Sequence, residues 1–297
     1  MKIAVLSDIH GNAAALKACL NYARKNSVSE FVFLGDYVGE LAFPQKTMEM
    51  LYQLMEGYPC HFVKGNKEDY WLNYRRDGEC GWKECDSTTG SLFYTYYNLT
   101  DRDLKFFESL NIKSELRKDG LPSITICHGS PYHANEKMLP GNGKTQNVIE
   151  QDPNDFILCG HTHVQGEIVH QCKVVWNPGS VGVSLHGNGK AQFMILTDKD
   201  GMWEHEFVSL DYDVEKVIRD LKQSGLWEMA PSWCKVSAHL LRTGEVSHGT
   251  VLAKAMAFCK EETGACVWPE IPEEYWGLAV RNLLEDAKEP QCAVGNQ

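Results

Sequence analysis

The chain has no run approaching the roughly 18 consecutive apolar residues of a membrane span. Its first apolar stretch, residues 3–6, is too short for the core of a signal peptide. A cytoplasmic protein without membrane attachment is therefore expected. Positive charge is also scarce: 29 Lys and Arg stand against 40 Asp and Glu, for a formal net charge of −11. That balance lacks the basic footprint of a non-specific nucleic-acid binder, so no long nucleic acid is expected as a partner. A small anionic substrate is not excluded, because a bound metal reverses the sign of the field locally. The 297 residues contain no internal repeat and no low-complexity segment, and they suffice for one large domain or a domain plus an extension. Cysteine is plentiful, but its count of 11 is odd, which fits reduced thiols better than a disulfide framework. Cys80 and Cys85, on either side of Trp82, read as surface-loop thiols.

What is present is an alternation of strand and helix. Residues 3–6 read as a short buried strand that turns sharply through Ser7-Asp8-Ile9-His10-Gly11-Asn12 into a helix-forming run at Ala13, with Asn12 as N-cap. A second strand over 31–34 ends at Gly35-Asp36, and Pro44 opens a helix. Phe62-Val63 then leads into Gly65-Asn66-Lys67-Glu68-Asp69. Three strands joined by two helical crossovers imply parallel pairing, with all three C-terminal ends at one edge.

Residues 70–98 break this rhythm with Trp, Tyr, Gly and charge. Thr100 caps a helix over 101–110 with Asp103 in capping-box position. A hairpin follows over 112–116 and 123–127, then a polar Gly-rich loop over 140–145 and a buried strand over 156–159. Short strands over 166–169, 173–176, 181–185, 192–196 and 203–210 suggest an antiparallel continuation of the sheet. From Asp213 the pattern is helical: 214–221 ended by Gly225, 247–262, and a third helix from Pro272. The residues after Pro290 read as a frayed tail. The chain thus divides into 1–210 and a helical extension over 211–297.

The strand-end turns carry the chemistry. Asp8 and His10 point the same way if Ile9 between them turns into the core, and a carboxylate beside an imidazole makes two metal ligands. Later turns add Asp36, Asn66, His128, and His161 with His163, most of them beside glycine. Seven nitrogen or oxygen ligands are too many for one tetrahedral ion, but they fit two octahedral or five-coordinate ions sharing a carboxylate. Such mixed donors suit manganese, iron, zinc or nickel, with manganese expected to support activity. His61, His170, His205, His239 and His248 follow no such turn and read as ordinary.

The ordered blocks D-x-H-G-N, G-D, G-N-x-[ED], H-G and G-H-T-H resemble the calcineurin-like metallophosphoesterase family over about 1–210. His128-Gly129-Ser130-Pro131 and Asn177-Pro178-Gly179-Ser180-Val181-Gly182 resemble its compact bacterial and archaeal phosphodiesterase branch, to which the retromer's phosphoesterase-fold subunit is related. The resemblance implies an α/β fold of two β-sheets packed face to face with helices outside, a four-layer αββα sandwich. It also implies a two-metal site: Asp8, His10 and His163 on the first ion, Asn66, His128 and His161 on the second, and Asp36 bridging. A hydroxide between the ions would attack phosphorus in line. Asp36, Asn66, His128 and Lys67 are thereby candidate catalytic residues. Asn12, at a helix N-terminus, is a candidate donor to phosphate, and Tyr37 and Tyr132 are candidates to line the pocket.

Two departures from the family pattern stand out. Lys67 occupies a position where many members have His, often assigned as leaving-group acid. A lysine, with an ordinary pKa of about 10.4, gives up its proton reluctantly but supplies positive charge. That favours leaving groups needing little protonation, hence a small phosphodiester or phosphoanhydride, with a nucleotide as the expected substrate. Glu40 and Lys64 stand where the protein serine/threonine phosphatases carry phosphate-gripping arginines, which argues against that branch; Arg75 or Arg76 is a candidate substitute. A nuclease of the same superfamily and a non-catalytic interaction module on this fold are the alternatives. The aromatic stretch reads either as a lid that stacks on a nucleobase or as a local cluster packed on the body. The C-terminal helices could cover the site or mediate homo-oligomer contacts.

Overall fold

The computed structural model describes residues 1–285, so the tail after Pro290 lies outside the described residues. The chain runs β1 (Lys2–Leu6), α1 (Ala13–Lys25), β2 (Glu30–Phe33), α2 (Pro44–Gly57), β3 (Cys60–Phe62), α3 (Asn66–Arg76), α4 (Gly90–Tyr97) and α5 (Asp101–Ser109). It continues with β4 (Lys113–Leu116), β5 (Ile124–Cys127), α6 (Gly143–Gln151), β6 (Phe156–Leu158), β7 (Gly166–His170), β8 (Lys173–Asn177), β9 (Ala191–Lys199) and β10 (Met202–Leu210). Helices α7 (Val214–Gln223), α8 (Leu226–Met229), α9 (Pro231–Thr243), α10 (His248–Thr263) and α11 (Glu273–Val280) follow, and a π-helical turn, Arg281–Glu285, closes the described chain.

The strands form two mixed five-stranded sheets, ordered β10-β9-β1-β2-β3 and β4-β5-β6-β8-β7. As the crossovers imply, β1, β2 and β3 are parallel neighbours. Side-chain alternation builds the layers. Ile3 and Val5 of β1 join Val32 and Leu34 against Leu116, Ile124 and Ile126 of the other sheet. Ala4 and Leu6, on the opposite face, pack with Leu16, Cys19 and Leu20 of α1. On the outer face of the second sheet, Cys127, Ile157 and Val175 bury Val148 and Ile149 of α6. The result is the αββα sandwich with helices beyond it. Helices α7 to α11 enclose a core of their own, in which Leu41, Ala42 and Val183 from two loops of the sandwich also take part.

Several features depart from expectation, among them α8 and α9, which fill a stretch where the pattern marks no helix. Residues 181–185 are a loop, not a strand: the amides of Val181 and Gly182 donate to the carbonyls of Ser7 and Asp8, both at 3.0 Å, and so buttress the first strand-end turn. The late strands do not continue one sheet: β7 and β8 join the second sheet, while β9 and β10 join the first. Helix α6 begins inside the stretch read as a polar loop. Helix α4 arises from Gly-Ser-Leu-Phe-Tyr-Thr-Tyr-Tyr, mostly weak helix formers, because Gly90 fits closely against the Met229 carbonyl of α8 and packing overrides propensity. No helix among the described residues is long and apolar enough to cross a membrane.

Candidate metal centre

The parallel pairing of β1 and β2 continues beyond the strands. Asp8 N donates to Gly35 O at 3.1 Å, His10 N to Asp36 O at 3.0 Å, and Gly11 N to Tyr37 O at 3.0 Å. Asp8, His10, Asp36, His161 and His163 all have left-handed backbone, with φ of 54°, 51°, 54°, 64° and 58°. Each such non-glycine residue costs on the order of 1–3 kcal/mol, a strain that persists only where the surroundings over-determine it. Asp8 and His10 do converge, but on left-handed rather than extended backbone.

The side chains leave lone pairs facing one another. Asp8 Oδ2 accepts from Ser7 Oγ at 2.6 Å and from the His161 amide at 3.0 Å. Its Oδ1 is left buried without a hydrogen-bond partner, 3.1 Å from His163 Nε2 and 3.6 Å from His10 Nε2. His128 Nδ1 lies 2.7 Å from Leu34 O, and His163 Nδ1 lies 3.1 Å from Val183 O. A carbonyl can only accept, so Nδ1 carries the proton on each ring and Nε2 presents a lone pair. His163 Nε2 is 3.1 Å from His10 Nε2, and His128 Nε2 is 3.1 Å from Asn66 Oδ1. Ligating atoms of Asp8, His10 and His163 all lie within 4.8 Å of one another, as do those of Asp8, Asp36 and His128. Imidazole, amide and carboxylate donors with so few protons among them match the chemistry of a divalent transition-metal ion. His161 lies outside both groups: its ring meets His128 edge-on at 5.1 Å, its Nε2 is 3.1 Å from Asn135 O, and burial, then His128, hold its pKa down at about 4.

Residues 1–201 match the calcineurin-like phosphoesterase superfamily domain. The chain belongs to that superfamily. It is 29% identical over 252 residues to the uncharacterized protein MJ0912 of Methanocaldococcus jannaschii, a match covering 78% of this chain and 94% of that one. Its fold is similar to that of a metallophosphoesterase from Sphaerobacter thermophilus, with a TM-score of 0.65 and 22% identity over 82% of this chain and 100% of the other. It is also similar to hypothetical protein PH1004 of Pyrococcus horikoshii OT3, with a TM-score of 0.68 and 20% identity over 83% and 99% of the two chains.

Behind the superfamily's third block, Glu68 ties the turns together. Its Oε2 accepts from the amides of Asp36 at 3.0 Å and Gly65 at 2.8 Å, and its Oε1 from Tyr37 N at 3.0 Å. Burial, then Asp36, push the Glu68 carboxyl up to about 7. Only glycine fits at 65, since a Cβ there would overlap the Asp36 carboxylate and amide. With the turn so fixed, Asp36 Oδ1 accepts from Lys67 N at 2.9 Å, and Oδ2 lies 3.7 Å from His10 Nε2 and 3.5 Å from His128 Nε2.

A cavity of about 240 Å³ opens from this cluster, bordered by His10, Asp36, Asn66, Lys67, His161 and His163. Its far side is made by Trp233, Leu240, His248 and Leu252 of the C-terminal helices, with Leu185. Here the two departures from the family pattern become one feature. Lys67 Nζ lies 2.8 Å from Glu40 Oε1, which is also 3.8 Å from His10 Nδ1, and Glu40 Oε2 lies 3.3 Å from His248 Nδ1. Burial alone would raise the Glu40 carboxyl, but Lys67, His248 and His10 outweigh it and hold it at about 2. Burial opposes charge on Lys67, but Glu40 and Asp36 raise its pKa above the ordinary value. His248, read from sequence as ordinary, is therefore a site residue. It stacks on Trp233 with centroids 4.1 Å apart, and its Nε2 lies 2.9 Å from Ser237 Oγ.

Other sequence candidates lie elsewhere. Asn12 caps α1, accepting from Ala15 N at 3.1 Å, but its amide donates to Gly182 O at 2.9 Å and to the Tyr212 hydroxyl at 3.1 Å, so its donors are already engaged. Tyr37 is fully buried, stacked on Phe107 and donating to Val63 O at 2.5 Å; it belongs to the core rather than the cavity wall. Tyr132 is exposed, near Lys113, and does not border the cavity. Arg75 pairs with Asp101 at 2.8 Å and Arg76 lies 3.5 Å from Asp77, both on the surface, so neither replaces the missing arginines.

Proposed function

We propose that the protein is a metal-dependent phosphohydrolase acting on a small phosphodiester or phosphoanhydride, with a nucleotide ester among the candidates and the cytoplasm as its place of work. The observation that carries this reading is the position of Asp36 Oδ2, nearly equidistant from His10 Nε2 and His128 Nε2 at 3.7 and 3.5 Å, where one carboxylate can serve two ions. Asp8, His10 and His163 would hold the first ion, and Asn66, His128 and His161 the second. Two divalent ions, manganese foremost, supply Lewis acidity that lowers the pKa of water and neutralises charge on phosphoryl oxygens.

The protein's own groups set the rest. Ser7 and the His161 amide orient Asp8 by holding Oδ2, which leaves Oδ1 for the centre. Leu34 O and Val183 O fix the tautomers of His128 and His163. Lys67 stays protonated beside Glu40, so it is a poor proton donor, and its charge is matched by that carboxylate. A leaving group that departs without a proton suits such a site, as do a phosphate from an anhydride and an activated alcohol from a diester.

Hydrolysis of bis(4-nitrophenyl) phosphate by the manganese-loaded protein tests this reading. Asp36→Asn is expected to lower kcat/KM by about 10²-fold or more, and undiminished turnover in the variant removes the bridging role. Protein that contains no metal by elemental analysis and holds a partner tightly would instead favour a docking module.

A further inference from the structure

The metal centre determines where a phosphoryl group can go; the far wall of the cavity determines what that group can carry. We propose that α9 and α10 build a subsite for an uncharged, apolar organic arm of the substrate, an aryl or short alkyl ester group rather than a second phosphate or a carboxylate. The inference rests on the phosphohydrolase reading and narrows it to a substrate class.

The wall across from the metal-centre imidazoles is mainly apolar: beside His248 stand Trp233 and Leu240 from α9, Leu252 from α10, and Leu185 from the loop before β9. Of the two lysines that border the cavity, Lys67 is already matched, since with Glu40 it forms a pair with no net charge. A second anionic group set against this wall would meet the Glu40 carboxylate and lose its water to leucine side chains. An unpaired buried charge is far costlier than a buried ring or methylene. Lys137 also borders the cavity, but it is exposed to solvent at the rim. The amino end of α10 is there too; its cap Ser247 already accepts from the Thr250 amide at 3.2 Å, and the first turn carries no lysine or arginine.

The same wall limits the size and kind of arm. Trp233 is 8% exposed, with its ring stacked on His248 and the Lys67 ammonium 5.4 Å from its centroid, so it offers no open face for a nucleobase. None of the rings between Tyr70 and Tyr97 borders the cavity. At about 240 Å³ the space falls below the roughly 300–1,000 Å³ of sites for drug-sized ligands. A phenyl ring or a short alkyl chain beside the phosphoryl group fits that description.

Calorimetric binding to the manganese-loaded full chain separates the possibilities without turnover. The ligands are inorganic phosphate, phenylphosphonate and phosphonoacetate, which differ in having no arm, an apolar arm or a charged arm. Phenylphosphonate is expected to bind about 10-fold or more tightly than phosphate, and phosphonoacetate no more tightly than phosphate. Leu252→Ala should bring phenylphosphonate close to phosphate while leaving the Kd for manganese unchanged. Tighter binding of phosphonoacetate than of phenylphosphonate overturns the subsite, and so does a loss in Leu252→Ala that is equal for all three ligands. The wild-type ranking alone decides the matter if that variant does not fold. Absence of any manganese heat removes the metal reading and the subsite together, whereas manganese binding with a reversed ligand ranking removes the subsite alone.

Discussion

The turns of the sandwich and the C-terminal helices face each other across one cavity, and they are built on opposite principles. On the sandwich side the ligand candidates sit within a few residues of a strand end, and Asp8, His10, Asp36, His161 and His163 do so on left-handed backbone held by neighbouring turns. On the helical side Trp233, Leu240, His248 and Leu252 project from helices whose remaining side chains fill an ordinary core. Polar atoms that must converge to within a few ångströms need a strained, over-determined frame. A wall that only excludes water and fits a shape can be borrowed from the flank of a helix. Glu40 joins the two, with one oxygen toward Lys67 and His10 and the other toward His248.

Breaking that junction is expected to have the largest effect on the fold. The side chains of Lys67 and Glu40 are 14% and 6% exposed, so removing either strands the other with little water. Glu40→Met alone is expected to destabilise by about 3–5 kcal/mol, and the Glu40→Met/Lys67→Met double variant to recover most of that loss. Urea denaturation of both singles and the double measures the coupling. Simple additivity would mean that the two departures from the family pattern are independent after all, and the two sides of the cavity would lose their link.

The contrast also explains what the sequence made legible. Asp8, Asp36, Asn66, His128 and His163 announce themselves because chemistry and strand end coincide in sequence. The parallel order of β1, β2 and β3 follows from the crossovers between them. Glu40 and Lys67 could be noticed only as two separate oddities, since their pairing depends on how two turns and α3 pack, which no periodicity encodes. His248 lacked any signal: it opens a helix, follows no strand, and becomes a site residue because α10 docks beside α9. The helices over 90–97 and 143–151 are not legible because residues that locally favour extended chain or loop are overridden by tertiary contacts, and the helix over 231–243 is a third that the sequence pattern does not mark. Likewise, nothing local in β7 to β10 tells which sheet each strand will join.

Acid should separate the two sides again, with a smaller effect. Burial works against charge on His128, but Asp36, Asp8 and Glu68 raise its pKa; on His163, burial is likewise outweighed by Asp8. His248, across the cavity, is held down at about 4, chiefly by burial. A protonated imidazole cannot bind a metal, so protons compete at His128 and His163 from a higher pH than at an ordinary histidine. Manganese affinity should therefore fall as pH drops through the neutral range, by about tenfold per pH unit for each proton displaced. His248 should stay neutral and the helical wall intact over the same range. Calorimetry in buffers of different ionisation heat counts the protons released, and a Kd that stays flat from about pH 8 to about pH 6 would contradict this picture.

The smallest effect is expected at the aromatic cluster around Tyr74, none of whose rings borders the cavity. Trp82 stacks on Tyr74 at 3.8 Å with the rings 6° apart, and Tyr96 meets the same Tyr74 edge-on at 4.9 Å. Satisfied by one another, these rings have no face turned toward the cavity, which is the local-cluster reading of the aromatic stretch rather than the lid. Trp82→Ala should thus lower stability by about 1 kcal/mol, the scale of an aromatic pair. Its KM for bis(4-nitrophenyl) phosphate should stay within about twofold of the parent, because nothing the substrate touches has moved. A tenfold rise in KM with an unchanged urea midpoint would mean that the stretch closes over bound substrate. The wall formed by α9 and α10 would then be only half of what selects the substrate's arm.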